Sequence, residues 1–402
     1  LVYNPLDAFF GGSGECQLHC GGADGRKPGG SIMTQVVRTQ KAEAIAHFQY
    51  EGRLIQDVPF GNGHINDTYL LTFEVKRMGI LKVILQKMNK NVFKNPVELM
   101  ENILGVTSYL REKIIKKGGN PDRETLNVIP ALDGKPYYQD SFGDYWRSYI
   151  FITDASSYDQ VENPDQFYQA AMAFGNFQNL LADYPADTLF ETIEGFHDTK
   201  ARFEVFKRAV ETDIKSRAAG VKKEIQFVLD HEDVACCFSN LQAKGEIPLR
   251  VTHNDTKLNN IMIDNKTGKA ICVIDLDTVM PGLAVNDFGD AIRFGASTGA
   301  EDEKDLSKVE CSMELFDLFT KGFIEGCNGK LTKREMELLP MGAKVMTFEC
   351  GMRFLTDYLQ GDTYFKIHRE EHNLDRCRTQ FKLVSDMEKK WGQMHEIVKK
   401  YM

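Results

Sequence analysis

Residues 251–278 constrain this chain more than any other stretch. Val251-Thr-His-Asn-Asp-Thr-Lys-Leu-Asn-Asn260 is followed by the apolar run Ile271-Cys-Val-Ile-Asp275-Leu-Asp277. Two β-like runs, 259–264 and 269–275, flank Asn265-Lys-Thr-Gly268, a plausible hairpin loop. If residue 264 faces 269, then 260 faces 273, and Asp275 lies further along the same face. Diagonal positions in such a ladder are roughly 7–8 Å apart, near enough for Asn260 and Asp275 to share one ion. A slip of one residue would put them on opposite faces.

His253-x-Asp255-x-x-x-x-Asn260 before a strand ending in a carboxylate suits transfer of a nucleotide's terminal phosphoryl group to a hydroxyl. One Asp orients the hydroxyl and takes its proton, while an amide and a second carboxylate hold magnesium. That ion takes hard oxygen ligands and usually only one or two from protein. Asp255 is therefore the candidate catalytic residue, with Asn260 and Asp275 as candidate metal ligands. A loop Asp with ordinary turn and capping duties would leave the whole constellation unexplained.

At 402 residues the chain exceeds one ordinary domain, and two packed lobes are expected. A net charge of −9 argues against a general nucleic-acid or membrane-surface binder. No apolar run approaches the roughly 20 residues of a membrane span. The nine cysteines are scattered, which suggests reduced thiols and a cytoplasmic location. Residues 1–33 are Gly-punctuated and lack a sustained apolar period, so a disordered or non-native extension is expected there. Cys16, His19 and Cys20 lie in it without the second pair a zinc site needs.

Residues 40–48 read as a helix, and 69–75 and 80–87 as strands. Before them Gly61-Asn-Gly-His-Ile-Asn66 could lay backbone N–H groups over phosphates. It lacks the Gly-Lys-Ser/Thr ending of a Walker loop, and a plain hairpin turn would also explain the glycines. Ala170, Ala171, Phe174, Phe177 and Leu181 form one helical stripe. Phe381, Val384, Met387, Trp391, Met394 and Val398 form another, predicting a terminal helix over 379–402; residues 211–245 read as two more helices.

Gly61-x-Gly63, the 253–260 segment and Ile274-Asp275 together resemble the aminoglycoside-phosphotransferase and choline-kinase superfamily of small-molecule kinases. The similarity is closer to its N-acetylhexosamine 1-kinases. It rests on Thr252–Asn260 with Val273–Thr278, on Leu85-Gln-Lys-Met-Asn with Val92-Phe-Lys-Asn-Pro96, and on Phe196-His-Asp-Thr199. The resemblance implies a bilobal, protein-kinase-like α+β fold, with a β-rich lobe over 34–152 and a helical lobe over 153–402. It implies ATP and Mg2+, with Asp255 as base and Asn260 and Asp275 on the ion. Gly61, Asn62, Gly63, His64 and Asn66 would cover the phosphates. Tyr149, Phe151 and Ile152 would form the hinge that meets the adenine.

Kinases of this type carry a cation on the third strand, where this chain offers Gln86 and then Lys87; alternation prevents both from facing the nucleotide. The paired acid would be Glu98 or Glu101. His253 would brace the catalytic loop, and Asp287 and Asp290 would cap the next helix and fasten that loop. Lys257 and Asp277 would lie near the acceptor. Arg353 and Tyr364 would hold the sugar, the Arg by planar hydrogen-bonding forks and the Tyr by its face.

The reaction so implied is phosphorylation of a small-molecule substrate, an N-acetylhexosamine, at its anomeric hydroxyl; no nucleic acid or membrane is expected, and no protein partner is inferable. Two rivals are a superfamily kinase acting on choline, ethanolamine, homoserine or an aminoglycoside, and a non-catalytic nucleotide-binding scaffold. Epimer preference, ATP against GTP and oligomeric state are left open by the sequence.

Overall fold

The computed structural model describes residues 39–61 and 65–402; the expected extension over 1–33, its cysteines, and Asn62, Gly63 and His64 lie outside the described residues. Two compact units result. One holds the described residues up to Leu104 together with Asn127–Phe151, and the other holds Gly105–Leu126 with Ile152–Met402.

The first unit is an antiparallel sheet covered by helix α1 (39–46). Its strands are β1 (Arg53–Pro59), β2 (Asp67–Val75), β3 (Gly79–Lys87), β4 (Tyr138–Gln139) and β5 (Tyr145–Ile150), in the order β1-β2-β3-β5-β4. Alternation sorts the faces: Leu71, Phe73, Val83, Leu85 and Trp146 are buried with Ala44 of α1 and with Phe48 just after it. The opposite face carries Thr68, Gln86 and Arg147. Helix α2 (Pro96–Lys116) follows. Of the two candidate acids on it, Glu101 is exposed and Glu98 half-buried, whereas the neighbouring amide Asn102 is buried.

The second unit opens with the short α3 (Pro121–Glu124), β6 (Ala155–Ser156) and α4 (Pro164–Leu180). The stripe Ala170, Ala171, Phe174, Phe177 and Leu181 is buried as its spacing predicts. Helices α5 (Thr199–Thr212), α6 (Lys222–Asp230) and α7 (Glu232–Ala243) lead to β7 (Arg250–Thr252), β8 (Ile261–Asp264), β9 (Ala270–Val273) and β10 (Met280–Gly282). Then come α8 (Ala284–Gly295), α9 (Met313–Cys327), α10 (Lys333–Glu337) and the long α11 (Leu339–Gln360). The single terminal helix expected over 379–402 is two helices, α12 (His372–Lys389) and α13 (Trp391–Lys399), with the break at Lys390. Its apolar stripe is still buried on both sides of that break, apart from the half-buried Trp391.

Helices cross closely where glycines leave room. A Cβ on Gly289 of α8 would stand 2.2 Å from the Gly342 carbonyl oxygen of α11, and one on Gly342 would stand 2.2 Å from that of Val285. Gly175 of α4 and Gly326 of α9 make a second such crossing, with Cβ positions 2.3 Å from the Phe323 oxygen and 2.5 Å from the Met172 oxygen. Among the described residues no helix is long and apolar enough to cross a membrane, and the seven described cysteines are free.

Candidate active site

Strand β7 delivers the chain into the loop 253–257, whose N–H groups from 253 to 256 are met by side chains. The His253 N–H donates to Asp287 Oδ2 at 2.9 Å and the Asn254 N–H to Asp287 Oδ1 at 2.8 Å. The Asp255 N–H donates to His253 Nδ1 at 3.3 Å, and the Thr256 N–H to Asp290 Oδ2 at 3.1 Å. Gln178 of α4 adds its amide to Asp287 Oδ2 at 3.0 Å and to the Val251 carbonyl at 3.1 Å. Burial pushes the Asp287 carboxyl above its ordinary range, against the pull of the N–H groups it accepts. Arg293 holds Asp290 through Nε and Nη2, each 3.1 Å from Oδ1.

One expectation needs correcting. Asp287 and Asp290 do not cap α8, which begins at Ala284 with Leu283 as its N-cap and no side-chain cap. They sit inside the helix, where three-residue spacing keeps both on one side, and their carboxylates reach out to the loop.

His253 is fully buried and serves the loop from within. Because Nδ1 accepts from Asp255, the proton sits on Nε2, which donates to the Ile274 carbonyl at 2.9 Å. The ring thus binds two backbone groups. The Asp255 carboxylate lies between Lys257, with Nζ 3.0 Å from Oδ1, and Asn260, whose Nδ2 is 3.0 Å from Oδ2. Burial alone would raise this carboxyl, but the Lys257 charge and the Asn260 amide outweigh it and hold the group below the usual carboxylate range.

The hairpin that follows departs from the simple register. Asp264 does pair with Lys269, but a bulge between Met262 and Ile263 puts Ile261 opposite Val273 and bonds Ile274 to Asn260. This is the one-residue slip that would place Asn260 and Asp275 on opposite faces of a continued strand. The strand does not continue. It stops at Val273, and Asp275 adopts a left-handed conformation (φ 57°, ψ 60°) that redirects its side chain. Asp277 accordingly lies in a buried turn, Leu276–Thr278, rather than on a strand face with Asp275.

Asn260 spends its Nδ2 on the backbone oxygen and Oδ2 of Asp255, at 2.8 and 3.0 Å, which turns its amide oxygen away from that carboxylate. An amide oxygen and a carboxylate are the hard donors a magnesium ion takes, so the residues present fit such an ion. Among the described residues there is no cluster of three or more His, Cys, Asp or Glu that could hold a metal, as in a zinc site.

In the sheet unit, Gly61 has φ +78°, and the Phe60 N–H closes on the Thr68 carbonyl at 2.9 Å. Asn66 Oδ1 accepts the Asn89 N–H at 3.0 Å. Lys87 turns to the α1 face, with Nζ 2.6 Å from Asp144 and 3.2 Å from Gln40. Asp144 is itself drawn to about 2: burial would raise it, and Lys87, Lys90 and Gln40 override that. Gln86, on the other face, bonds Thr68 at 3.1 Å and accepts from Arg147 Nε at 2.9 Å. The third strand therefore offers a neutral amide beside a cation supplied by β5. Tyr149 is buried under the Arg147 guanidinium, 5.4 Å from the ring centroid. The Phe151 N–H is taken by the Lys82 carbonyl at 3.0 Å, and Ile152 is a buried residue of the second unit.

Arg353 on α11 donates to Tyr364 Oη at 3.4 Å, and burial lowers its guanidinium to about 10. One turn earlier lies Glu349, which gathers His197, Thr199 and Arg202 as well. Sequence reasoning missed Gln178, Glu349 and Arg293. It met His197 only within the phrase 196–199, because Gln178 bonds Val251 and Asp287, 73 and 109 residues away, Glu349 bonds His197 and Thr199, 152 and 150 residues away, and no local period marks them.

A mixed α+β chain, with an antiparallel sheet before a helical part and a carboxylate on a loop held at residues 253–256, suits a phosphoryl-transferring enzyme. Residues 58–310, more than half of the chain, match the model of the phosphotransferase enzyme family, and the chain belongs to that family. Solved structures agree at the level of fold. An aminoglycoside phosphotransferase from Alicyclobacillus acidocaldarius superposes with TM-score 0.59 at 9% identity, covering 89% of this chain and 96% of its own. Amicoumacin kinase hAmiN, in complex with AMP-PNP, Ca2+ and Ami, gives 0.54 at 12%, covering 89% and 93%. Choline kinase from Cryptosporidium parvum Iowa II gives 0.51 at 13%, covering 90% and 96%.

Proposed function

We propose that this kinase transfers the γ-phosphoryl group of ATP to the anomeric hydroxyl of an N-acetylhexosamine in the cytoplasm. The observation that carries the chemistry is the Asp255 carboxylate, kept ionised between Lys257 and Asn260 on a loop whose N–H groups are all held from 253 to 256. A fixed carboxylate of this kind aligns the acceptor hydroxyl and takes its proton as the oxygen–phosphorus bond forms and the β,γ-bridging bond breaks to release ADP. Asn260 and Asp275 would hold the magnesium ion, which spreads the charge of the phosphates. Lys257, with Nζ 3.0 Å from Asp255 Oδ1, stands beside the transfer; within the sheet unit Gln86, bonded to Arg147 of β5, is the polar group of the third strand. A sugar acceptor is supported by Arg353 beside Tyr364: a buried, planar donor suits an acetamido carbonyl, and an aromatic face suits a pyranose ring.

The test is purified protein with ATP, magnesium and N-acetylglucosamine or N-acetylgalactosamine, followed by phosphorus NMR. A sugar 1-phosphate signal is expected, and Asp255→Asn should reduce its rate by roughly 10²–10⁴-fold with an unchanged fold. ATP consumption with choline, homoserine or an aminoglycoside, and none with the sugars, would overturn the acceptor and leave the kinase.

A further inference from the structure

Glu349 of α11 is a buried acid that none of the roles above uses, 1% exposed in a group of polar side chains. Thr199 Oγ1 donates to its Oε2 at 2.6 Å; on Oε1, His197 Nδ1 is at 3.0 Å, Arg202 Nε at 3.6 Å and Arg353 Nη1 at 3.8 Å. The second nitrogen of His197, Nε2, lies 3.2 Å from the carbonyl oxygen of Asn254, the residue before Asp255. Both partners of the ring accept hydrogen bonds: one is a carboxylate, the other a peptide carbonyl. An imidazole donates from both nitrogens only when it carries both protons. His253 is the contrast within the same site, with one accepting and one donating nitrogen.

We propose that His197 is a positioning residue which, as an imidazolium, ties the Asn254–Asp255 peptide to Glu349 and through it to Arg353. This rests on the reading of Asp255 as the base. Asn254 is held at φ +64°, a left-handed backbone that Asn adopts more readily than most other non-glycine residues. Its N–H is fixed by Asp287 and its side chain by Thr278, at 2.8 Å each. Its carbonyl is fixed by His197. Without that donor, the peptide entering Asp255 is held only by the 3.3 Å bond from its N–H to His253 Nδ1, and the carboxylate shifts as the peptide tilts. Since Glu349 also lies against Arg353, the residue proposed to hold the acceptor, one buried acid joins acceptor binding to placement of the base.

The charges facing His197 come from three helices. Glu349 stands on α11 with Arg353 against it, Arg202 on α5, and Asp287 and Asp290 on α8; the Phe196 ring lies 4.4 Å from the imidazole. Burial by itself would lower the histidine, and Arg202 adds to that. The Glu349 carboxylate prevails and raises it above the ordinary value. A raised value keeps the clamp closed at neutral pH and opens it as pH climbs through the raised value.

Histidine nitrogen NMR on 15N-labelled full-length protein, with His197 assigned by its loss in His197→Gln, reads the ring directly. Both nitrogens should show imidazolium shifts at pH 7, and Glu349→Gln should move the midpoint to lower pH. In parallel, kcat with the sugar acceptor should have an alkaline limb at that same midpoint, and Glu349→Gln should shift the two together. His197→Gln should lose tenfold to a hundredfold in kcat, keep its KM for ATP and lack the limb, with thermal unfolding confirming that it is folded. A neutral His197 at pH 7 overturns the proposal, as does an imidazolium whose replacement leaves kcat and its pH profile untouched. A wild-type enzyme that turns over no acceptor would refute the kinase reading instead, while the NMR result would still decide the charge on His197.

Discussion

Asp287 shows how much one buried residue can organise. Its two oxygens receive the N–H groups of His253 and Asn254 and the amide of Gln178, so three donors converge on one carboxylate. Asp287→Asn replaces one acceptor oxygen with a donor that faces donors. We expect a loss of about 1–3 kcal/mol in stability from the unsatisfied groups and a lower kcat, because Asp255 is carried on the freed segment. Urea unfolding with an unchanged m-value, together with kcat, checks this; a variant with wild-type midpoint and kcat would show that water replaces the carboxylate. That Asp255, Lys257 and Asn260 stand together was legible at this scale because they lie within six residues of chain. Glu349 was not, since a Glu in a helix reads as a solvated face until packing buries it.

At the scale of elements, the crossing of α8 with α11 places the fastening carboxylates. Gly289 lies between Asp287 and Asp290 on α8, and its missing Cβ lets the α11 backbone approach. Gly289→Ala should cost about 1–3 kcal/mol by overpacking, while Gly220→Ala, whose Cβ meets nothing within 4 Å, should be near neutral. Calorimetry of both variants separates them; equal unfolding temperatures would mean that the helices part without cost. The strands around residues 70–87 and the stripe of α4 were legible from periods of two and 3.6. The bulge at Met262 and the break at Lys390 were not, because each changes a register or an axis without disturbing the apolar pattern around it.

For the molecule as a whole, nucleotide binding should appear as stabilisation. At a hundred times its Kd, Mg·ATP contributes about 2.7 kcal/mol, which for a chain of this length raises Tm by about 3 °C. In Asp275→Ala, magnesium should no longer add to the shift that ATP alone produces. An equal magnesium increment in wild type and variant would remove Asp275 from the ion. The net charge of −9 and the scattered apolar runs were enough on their own to argue against a general polyanion binder and a helical membrane span. They said nothing about the acceptor, because specificity resides in a few side chains that total charge does not register.

By itself the sequence determined what local spacing encodes: the kinase-like succession of sheet and helices, the Asp255–Asn260 spacing, and the three-residue interval that puts Asp287 and Asp290 on one side of α8. Tertiary structure decided which partner each polar group takes. It gave Lys87 to Asp144 and left Gln86 with Arg147, turned Asp275 out of its strand through a left-handed residue, and set His197 between Glu349 and the carbonyl of Asn254. The physical reason is range. A repeat of two or 3.6 residues is written in neighbouring side chains, whereas a buried hydrogen bond chooses among acceptors distant in the chain, and only packing brings them together.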